Sequence, residues 1–554
     1  MIQKSSKIQV LILARKILKN NTRIFKQAKS LVDAGYEVTV IGIRPKDLSS
    51  EEIRDGYKII RLSLDPLHNK ILRSIRNLQR MTEIILVLFF KNIEKFFSFN
   101  ILEFVKSEII FDKFLKKKLT IRRNIKVEYS KSNKFSWYIA FHNKICNVLK
   151  FVYKKSRFAK INNLLCKLRV RNLLVKFNYK LLKYFKKFNK FFVNLYKIIK
   201  HIFIKGFKIS NLVILLSLKK INFYIYLLIK KFLLSFRWIF ISIDYYYRVY
   251  RYVTANLPVP HIIHANDLDT LFIAFILARR FKAKLIYDAQ ELYTGLHTLP
   301  SWYRKILFIQ EYFLIRKADK ITVVNDAIAE VMEKYYKRKI DAIILNCPPY
   351  EDNLHFQRGK TIREFFSIPD NVPIFLYSGG LVKQRGIENT ILSLKYIKEG
   401  VLVLLGEGPL KEKLLELIAK EKLEERIFFA DFIPHTEVPK FISSADVGII
   451  PYENVGINHY LCSPSKLFHY IMAELPIACS NFPFLRKIVI GHEIGKTFDP
   501  SNPRSIAEAI SLIMVSSNYK KFKENLRKIK TKYCWENEEQ KFLKVYKELL
   551  RWRM

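Results

Sequence analysis

From residue 7 the chain reads KIQVLILA, a continuous apolar run. TRIFKQAKSLVDAG follows, with apolar positions at helical spacing, Thr22 placed to cap it and Gly35 to stop it; then comes YEVTVIGI. The pattern predicts strand, helix, strand over residues 7 to 65. The same grammar resumes far downstream with HIIHAND, a helix TLFIAFILARRF, a strand KLIYDAQE, a helix ending near Lys317 and a strand KITVVN. A second series begins near Pro373, with strands PIFLYSGG, GVLVLLG, RIFFADF, DVGIIPY, PIACS and GKTFDP separated by helical patterns. Parallel strands joined by crossover helices build doubly wound sheets. Two such sheets end to end leave a cleft at their strand C-termini, where ligands of these folds bind.

Between the two stretches of the first sheet the pattern changes. From Leu67 to Leu257 there is no proline and one glycine, Gly206, and from Tyr129 to Ile243 no acidic residue. Residues 66 to 250 carry 41 Lys and Arg against 7 Asp and Glu, so most of the chain's formal charge of +49 lies here. Within it, Lys176, Lys180, Lys183, Lys187, Lys190, Asn194, Lys197 and His201 recur at close to the helical repeat, one basic stripe facing a broad surface of Phe, Leu, Ile and Tyr. Uncharged runs such as Ile209 to Leu218 are far shorter than the ~20 residues needed to span a bilayer. The pattern therefore predicts helices lying in the interface of an anionic membrane, or else packing on one another as an inserted bundle. No nucleic-acid module accompanies the charge, so nucleic acid is not an expected partner.

The six cysteines show no C-x-x-C pair, which suggests neither a zinc site nor a disulfide framework and fits a reducing compartment. The first apolar run reads as a buried strand rather than a signal peptide. No metal-ligand spacing occurs and no cofactor is implied. The expected location is cytoplasmic, peripheral at the inner face of the membrane.

The chemistry follows from glycines and cations at helix starts. Gly379 and Gly380 permit close backbone approach, Arg385 opens the next helix, and Ser465 and Lys466 open another after Pro464. Amides at helix N-termini with fixed cations suit a diphosphate. Asn266, Asp267 and Asp269 follow a strand end, and Arg23 stands at the first helix, where it is either an acceptor contact or a plain surface arginine. His435 lies in a loop beside Thr436, and Asp446 precedes a buried strand.

With YSGGLVKQRGIENTI (377 to 391), LLGEGP (404 to 409), FIPHTEVPKFISSADVGIIPY (432 to 452) and SPSKLFHYIMAELPIACS (463 to 480) in this order, and HANDLDT and YDAQEL upstream, the sequence resembles retaining glycosyltransferases of the GT-B fold, family 4 type. The resemblance covers about residues 7 to 65 and 258 to 550. It implies an α/β protein: two Rossmann-like doubly wound domains facing across a cleft, with a long basic helical insertion in the N-terminal domain. The implied domains are an acceptor-side domain at 1–65 and 251–355, the insertion at 66–250, a donor domain at 356–533, and a helix at 534–554 crossing back to the first domain.

The implied partners are a nucleotide-sugar donor, a glycan or lipid-linked acceptor and an anionic membrane surface. Donor binding falls to Gly379, Gly380, Arg385, Glu407, Ser465, Lys466 and His469. The acceptor side falls to Arg23, Asn266 and Asp267, and the catalytic positions to Asp288, Gln290 and Glu291. Three positions depart from the family. The ribose-holding glutamate is His469, its partner glutamate is Leu461, and the histidine of D-x-H-E is Gln290, which cannot exchange a proton near neutral pH. His469 reads equally as a core histidine. Two functions remain open: sugar transfer with retained configuration, or a degenerate relative acting as a membrane-associated binding or scaffold protein.

Overall fold

The computed structural model describes residues 7–77 and 223–551, apart from 20, 46, 67, 68, 225, 353–358, 432 and 435. The basic stripe from Lys176 to His201, most of the insertion and His435 lie outside the described residues. Residues 7–71 and 232–551 belong to one compact unit that holds two parallel sheets; residues 72–231 belong to a second. The described ends of the second unit are helical, and Arg76 donates to the Tyr226 hydroxyl at 3.2 Å.

The N-terminal lobe is an eight-stranded sheet ordered β3-β4-β2-β1-β5-β6-β7-β8. Its strands are β1 (Gln9–Ile17), β2 (Glu37–Ile43), β3 (Glu51–Arg54), β4 (Tyr57–Leu62), β5 (Ile262–Asn266), β6 (Lys284–Ala289), β7 (Lys320–Val323) and β8 (Ala342–Ile343). All pairs are parallel except β3 with β4. Helix α1 (Thr22–Asp33) is capped by Asn21, whose side chain accepts from Ile24 N, and not by Thr22, which is already helical. Helix α2 (Arg237–Asn256) crosses the expected boundary at 250/251, because Tyr245, Val249 and Val253 pack into the N-terminal core beside α3 (Leu268–Phe281).

The C-terminal lobe is a six-stranded parallel sheet ordered β11-β10-β9-β12-β13-β14. It comprises β9 (Ile374–Ser378), β10 (Val401–Leu405), β11 (Ile427–Ala430), β12 (Val447–Ile450), β13 (Ile477–Ser480) and β14 (Gly495–Phe498). These short runs, buried on both faces, are what a sheet covered by helices on each side requires. Asp446 accepts from Ile374 N at 2.8 Å and faces Arg363 at 3.3 Å, so it closes a strand edge. The last helix, residues Trp535–Arg551, packs Trp535, Phe542, Val545, Tyr546 and Leu549 into the core of β1, β2 and α1. Its Tyr546 hydroxyl lies 2.7 Å from His264 Nδ1.

One core carboxyl has a measurable consequence. In α4 (Ser301–Leu314), Glu311 is 1% exposed and accepts from the Tyr287 hydroxyl at 2.6 Å and from Tyr336, on α5 (Asp326–Tyr336), at 2.5 Å. Burial pushes its carboxyl up to about 7, over the two tyrosine hydrogen bonds that pull it down. The unfolded chain releases this proton near the ordinary glutamate value, so the folded state binds more protons between there and neutrality. Its contribution is full at acid pH and falls by about 3 kcal/mol as pH rises through that window. Glu311→Gln is expected to flatten the decline of Tm between pH 5 and 8; parallel profiles for variant and parent would refute the assignment.

Candidate active site

The site in the C-terminal lobe is built from loops that leave β9 and β12. After β9 the chain turns through Gly379 at φ 141°, where an added Cβ would stand 3.0 Å from Lys466 Nζ. A side chain there would occupy the approach to the lysine. Gly386, at φ 66°, starts helix α6 (Ile387–Ser393), and a Cβ on it would overlap the Pro451 carbonyl at 1.9 Å. This close packing sets the Arg385 loop against the end of β12. Gly380 is exposed, and its carbonyl accepts from the Tyr377 hydroxyl at 2.9 Å. Glu407 is exposed beside it, its carbonyl accepting from Leu381 N at 2.9 Å.

Two cations converge on one ring. The Arg385 guanidinium lies 4.1 Å over Tyr452, and Lys466 Nζ lies 5.3 Å from the same ring and 3.8 Å over Tyr377. Lys466 belongs to helix α7 (Ser465–Met472), is 8% exposed, and its Nζ has no hydrogen-bond partner. Burial, with the Arg385 charge added, holds its ammonium well below the usual lysine range. The Tyr452 phenol is pushed up to about 12, first by burial; Arg385 opposes, and Cys462 and Glu291 add to it. Two adjacent basic groups, one of them dehydrated and neither in an ion pair among the described residues, form a site that an anion would complete.

Other residues of the first turns divide. Ser465 is exposed at the start of α7. His469 is pushed down to about 4 by burial and then by the nearby Lys26 cation, so it is neutral at ordinary pH. Lys26, from α1, donates to the Cys347 carbonyl, stands 4.8 Å over the Trp535 ring, and is itself lowered to about 8, chiefly by burial and then by Arg23. Leu461 is buried in the core of the N-terminal lobe, where its carbonyl accepts from Asn325 at 2.8 Å.

The facing residues come from the C-terminal ends of β1, β5 and β6. Lys16 pairs with Asp267 at 2.7 Å and donates to Gln290 Oε1 at 2.8 Å. Gln290 Nε2 donates to Asn266 Oδ1 at 2.5 Å and to Asp288 Oδ2 at 3.1 Å. Asp267 is fully buried and accepts from the backbone amides of Gln290 and Glu291. Its carboxyl is pushed up to about 6 by burial, over the pull of Lys16, with Glu291 and Asp269 adding. Asp269 pairs with Arg15 at 2.9 Å. Glu291 is exposed, within electrostatic reach of both Lys16 and Tyr452, and so lies between the lobes.

Four expectations are corrected here. Arg23 is neither a surface arginine nor an acceptor contact: it is 4% exposed, bonded to Asp288 at 3.0 Å and to the Ile344 carbonyl at 2.9 Å. Asp288 is not placed as a catalytic carboxylate, because Arg23, Gln27, Thr322 and Gln290 occupy it and none of its surface is exposed. Asn266 and Asp267 do not face an acceptor; they are 1% and 0% exposed and hold the Gln290 loop. Lys16 and Tyr452 join the candidate site without having been singled out from the sequence, and Lys26 acts on it only through His469. Tyr452 closes the predicted strand DVGIIPY and Lys16 lies just past the predicted strand KIQVLILA, the positions where ligands of such folds bind.

The lobes also touch directly. Leu292 N donates to Asn458 Oδ1 at 2.8 Å, and Lys487 pairs with Asp326. The rings of His297 and His459 meet edge to face at 5.1 Å, and His459 lies 5.9 Å from Tyr452. The cation pair thus sits beside the contact between lobes.

Residues 359–529 match the family model described as Glycosyl transferases group 1. The chain is 25% identical over 300 residues to an uncharacterized glycosyltransferase of Methanocaldococcus jannaschii, covering 52% of this chain and 75% of the other. It is 26% identical over 261 residues to the O-antigen biosynthesis glycosyltransferase WclY of Escherichia coli, covering 45% and 69%. Sucrose-phosphate synthase of Thermosynechococcus elongatus superposes with a TM-score of 0.58 at 13% identity, over 98% of this chain and 100% of that one. The paired sheets have the GT-B fold. With the family and sequence matches, they support a glycosyltransferase.

Proposed function

We propose that the protein transfers a sugar from a nucleotide-sugar donor to a cell-envelope glycan or lipid-linked acceptor, with retained configuration, at the inner face of the cytoplasmic membrane. The observation that carries this reading is the pair Arg385 and Lys466, converging on Tyr452 with neither of them in an ion pair among the described residues. A donor diphosphate would replace the missing counter-charge, and the same cations would stabilise the charge that develops on it as the glycosidic bond breaks. The leaving diphosphate then assists attack from its own face, which retains the configuration and requires no protein base where Gln290 stands. Gln290, fixed through its amide by Lys16 and Asn266, is suited to a sugar hydroxyl. Glu291, exposed and within electrostatic reach of Lys16 and Tyr452, is placed to meet an acceptor hydroxyl. The naming of WclY for O-antigen biosynthesis supports a glycan acceptor. No metal is required by this arrangement.

A second reading, a membrane-associated binding protein without turnover, is favoured by the neutral His469 and the occupied Gln290. Sugar transfer requires donor binding, whereas a binding or scaffold role does not; donor-dependent hydrolysis or transfer separates them.

Nucleoside diphosphates and their sugar conjugates, tested by thermal shift, are expected to raise Tm for one base. Saturation at a hundredfold excess over Kd corresponds to about 2.7 kcal/mol of added stability. The free nucleoside should give no shift. Absence of a shift with every diphosphate would remove the basis of the sugar-transfer reading. For a donor that is turned over, the anomeric configuration of the product, read by NMR, tests retention.

A further inference from the structure

Helix α4 has apolar residues on both of its sides. Tyr303, Leu307 and Leu314 face the N-terminal core. Its outer side carries Ile306, Ile309 and Phe313, exposed by 43%, 56% and 63%, with Phe308 and Tyr312 at 37% each. A helix in water keeps such a face polar, and an exposed apolar patch of this kind marks an interaction surface. Every exposed charge on the helix and the turn that follows is cationic: Lys305 near its start, Arg316 and Lys317 just beyond its end. The one carboxylate of α4, Glu311, is buried. Arg316 stacks 3.8 Å over the Tyr312 ring, so that charge sits at the edge of the apolar ridge.

We infer that the outer face of α4 docks on an anionic lipid surface, with Ile309 and Phe313 entering the acyl boundary and Lys305, Arg316 and Lys317 meeting the headgroups. The charge pattern selects this occupant. A second copy of the same face would bring cations against cations, whereas anionic headgroups complement them. Among the described residues no helix is long and apolar enough to cross a membrane, so α4 lies along the surface. The segment beginning at Gln290 and Glu291 runs through a 3-10 turn (Tyr293–Gly295) into α4, the first α-helix after that edge of the cleft. The inference builds on the membrane-surface part of the proposed function and not on its donor chemistry, and it names a surface outside the basic insertion.

The test uses the full chain carrying p-benzoylphenylalanine in place of Phe313, or, as control, in place of the exposed Leu415 of the C-terminal lobe, irradiated with phosphatidylcholine vesicles with and without phosphatidylglycerol. A lipid adduct is expected at position 313 with anionic vesicles, at least about 10-fold above position 415. The double variant Ile309→Ser, Phe313→Ser is expected to partition about 10-fold more weakly onto anionic vesicles at unchanged Tm. The crosslink decides the matter if that variant loses stability. Adducts to a second protein chain, adducts to residues 78–222, or no lipid adduct at position 313 would each overturn the inference. Nucleoside-diphosphate thermal shifts hold or fail whatever the outcome here, so the two readings fail separately.

Discussion

Lys466→Met is expected to lower kcat/KM for sugar transfer by about 10²–10³-fold while leaving Tm unchanged or slightly raised. The two effects separate because the surroundings of Lys466 disfavour its charge. Its Nζ is enclosed, lacks a hydrogen-bond partner and shares its surroundings with Arg385. Methionine keeps the length that packs on Tyr377 and removes an amine whose charge is disfavoured there, so the folded state loses nothing. On the proposed function the ammonium is needed only once a diphosphate arrives, the pattern of a group held for function at the expense of stability.

A proton count gives an independent readout. Burial and Arg385 depress the ammonium, and a bound diphosphate would raise it again, so donor binding should draw a proton from solution. Calorimetry in buffers of different ionisation enthalpy would show this uptake in the parent protein and not in Lys466→Met. If both proteins bind donor with no proton change and equal affinity, Lys466 is a packing residue and the clamp is misassigned.

The sheets were legible because their strands are uninterrupted apolar runs bounded by Gly, Pro or Asp, and a run such as VLVLL at β10 has no other comfortable place. The hairpin of β3 and β4 was not. Its EEIR strand is half exposed on the sheet edge, and one face of it is fixed by Arg61, which reaches back to the Leu18 carbonyl at 2.8 Å. The places of Arg385 and Lys466 at helix starts were legible from the Gly and Pro beside them, which constrain the backbone locally. The aromatic ring on which they meet was not, since Tyr452 closes an ordinary strand pattern and gains its role only when β9 and β12 become neighbours. The same limit explains Arg23. An amphipathic helix shows which side is buried, but not that a carboxylate from β6, hundreds of residues away, stands beneath it. Chemistry carried by spacing within one segment can be read from the chain; chemistry assembled across the sheet cannot.

That assembly makes Arg23→Met the variant with the largest expected loss of stability, about 3–5 kcal/mol, because it strands a buried carboxylate. Burial alone would push the Asp288 carboxyl up. The Arg23 charge and its hydrogen bonds, with His264 at 3.7 Å, hold it well below the ordinary aspartate range instead. In the parent, the pair's contribution is therefore full above the ordinary aspartate value and is lost as pH falls below it. In Arg23→Met burial is no longer opposed by the guanidinium, the carboxyl rises, and its charge costs more as pH increases. The two Tm profiles should separate as pH rises above the ordinary aspartate value and draw together only well below it, where the parent's Asp288 is itself protonated. The double variant Arg23→Met, Asp288→Asn should recover part of the loss by removing the stranded charge. The amide introduced at position 288 still lacks the fork that Arg23 extends to both carboxylate oxygens and to Ile344, so recovery stops short of the parent. Because Asp288 also accepts from Gln290, the same substitutions should raise KM for donor or acceptor by loosening that amide. Activity unchanged alongside a loss of several kcal/mol would show that the ion pair supports the sheet alone and that Gln290 is held sufficiently by Lys16 and Asn266.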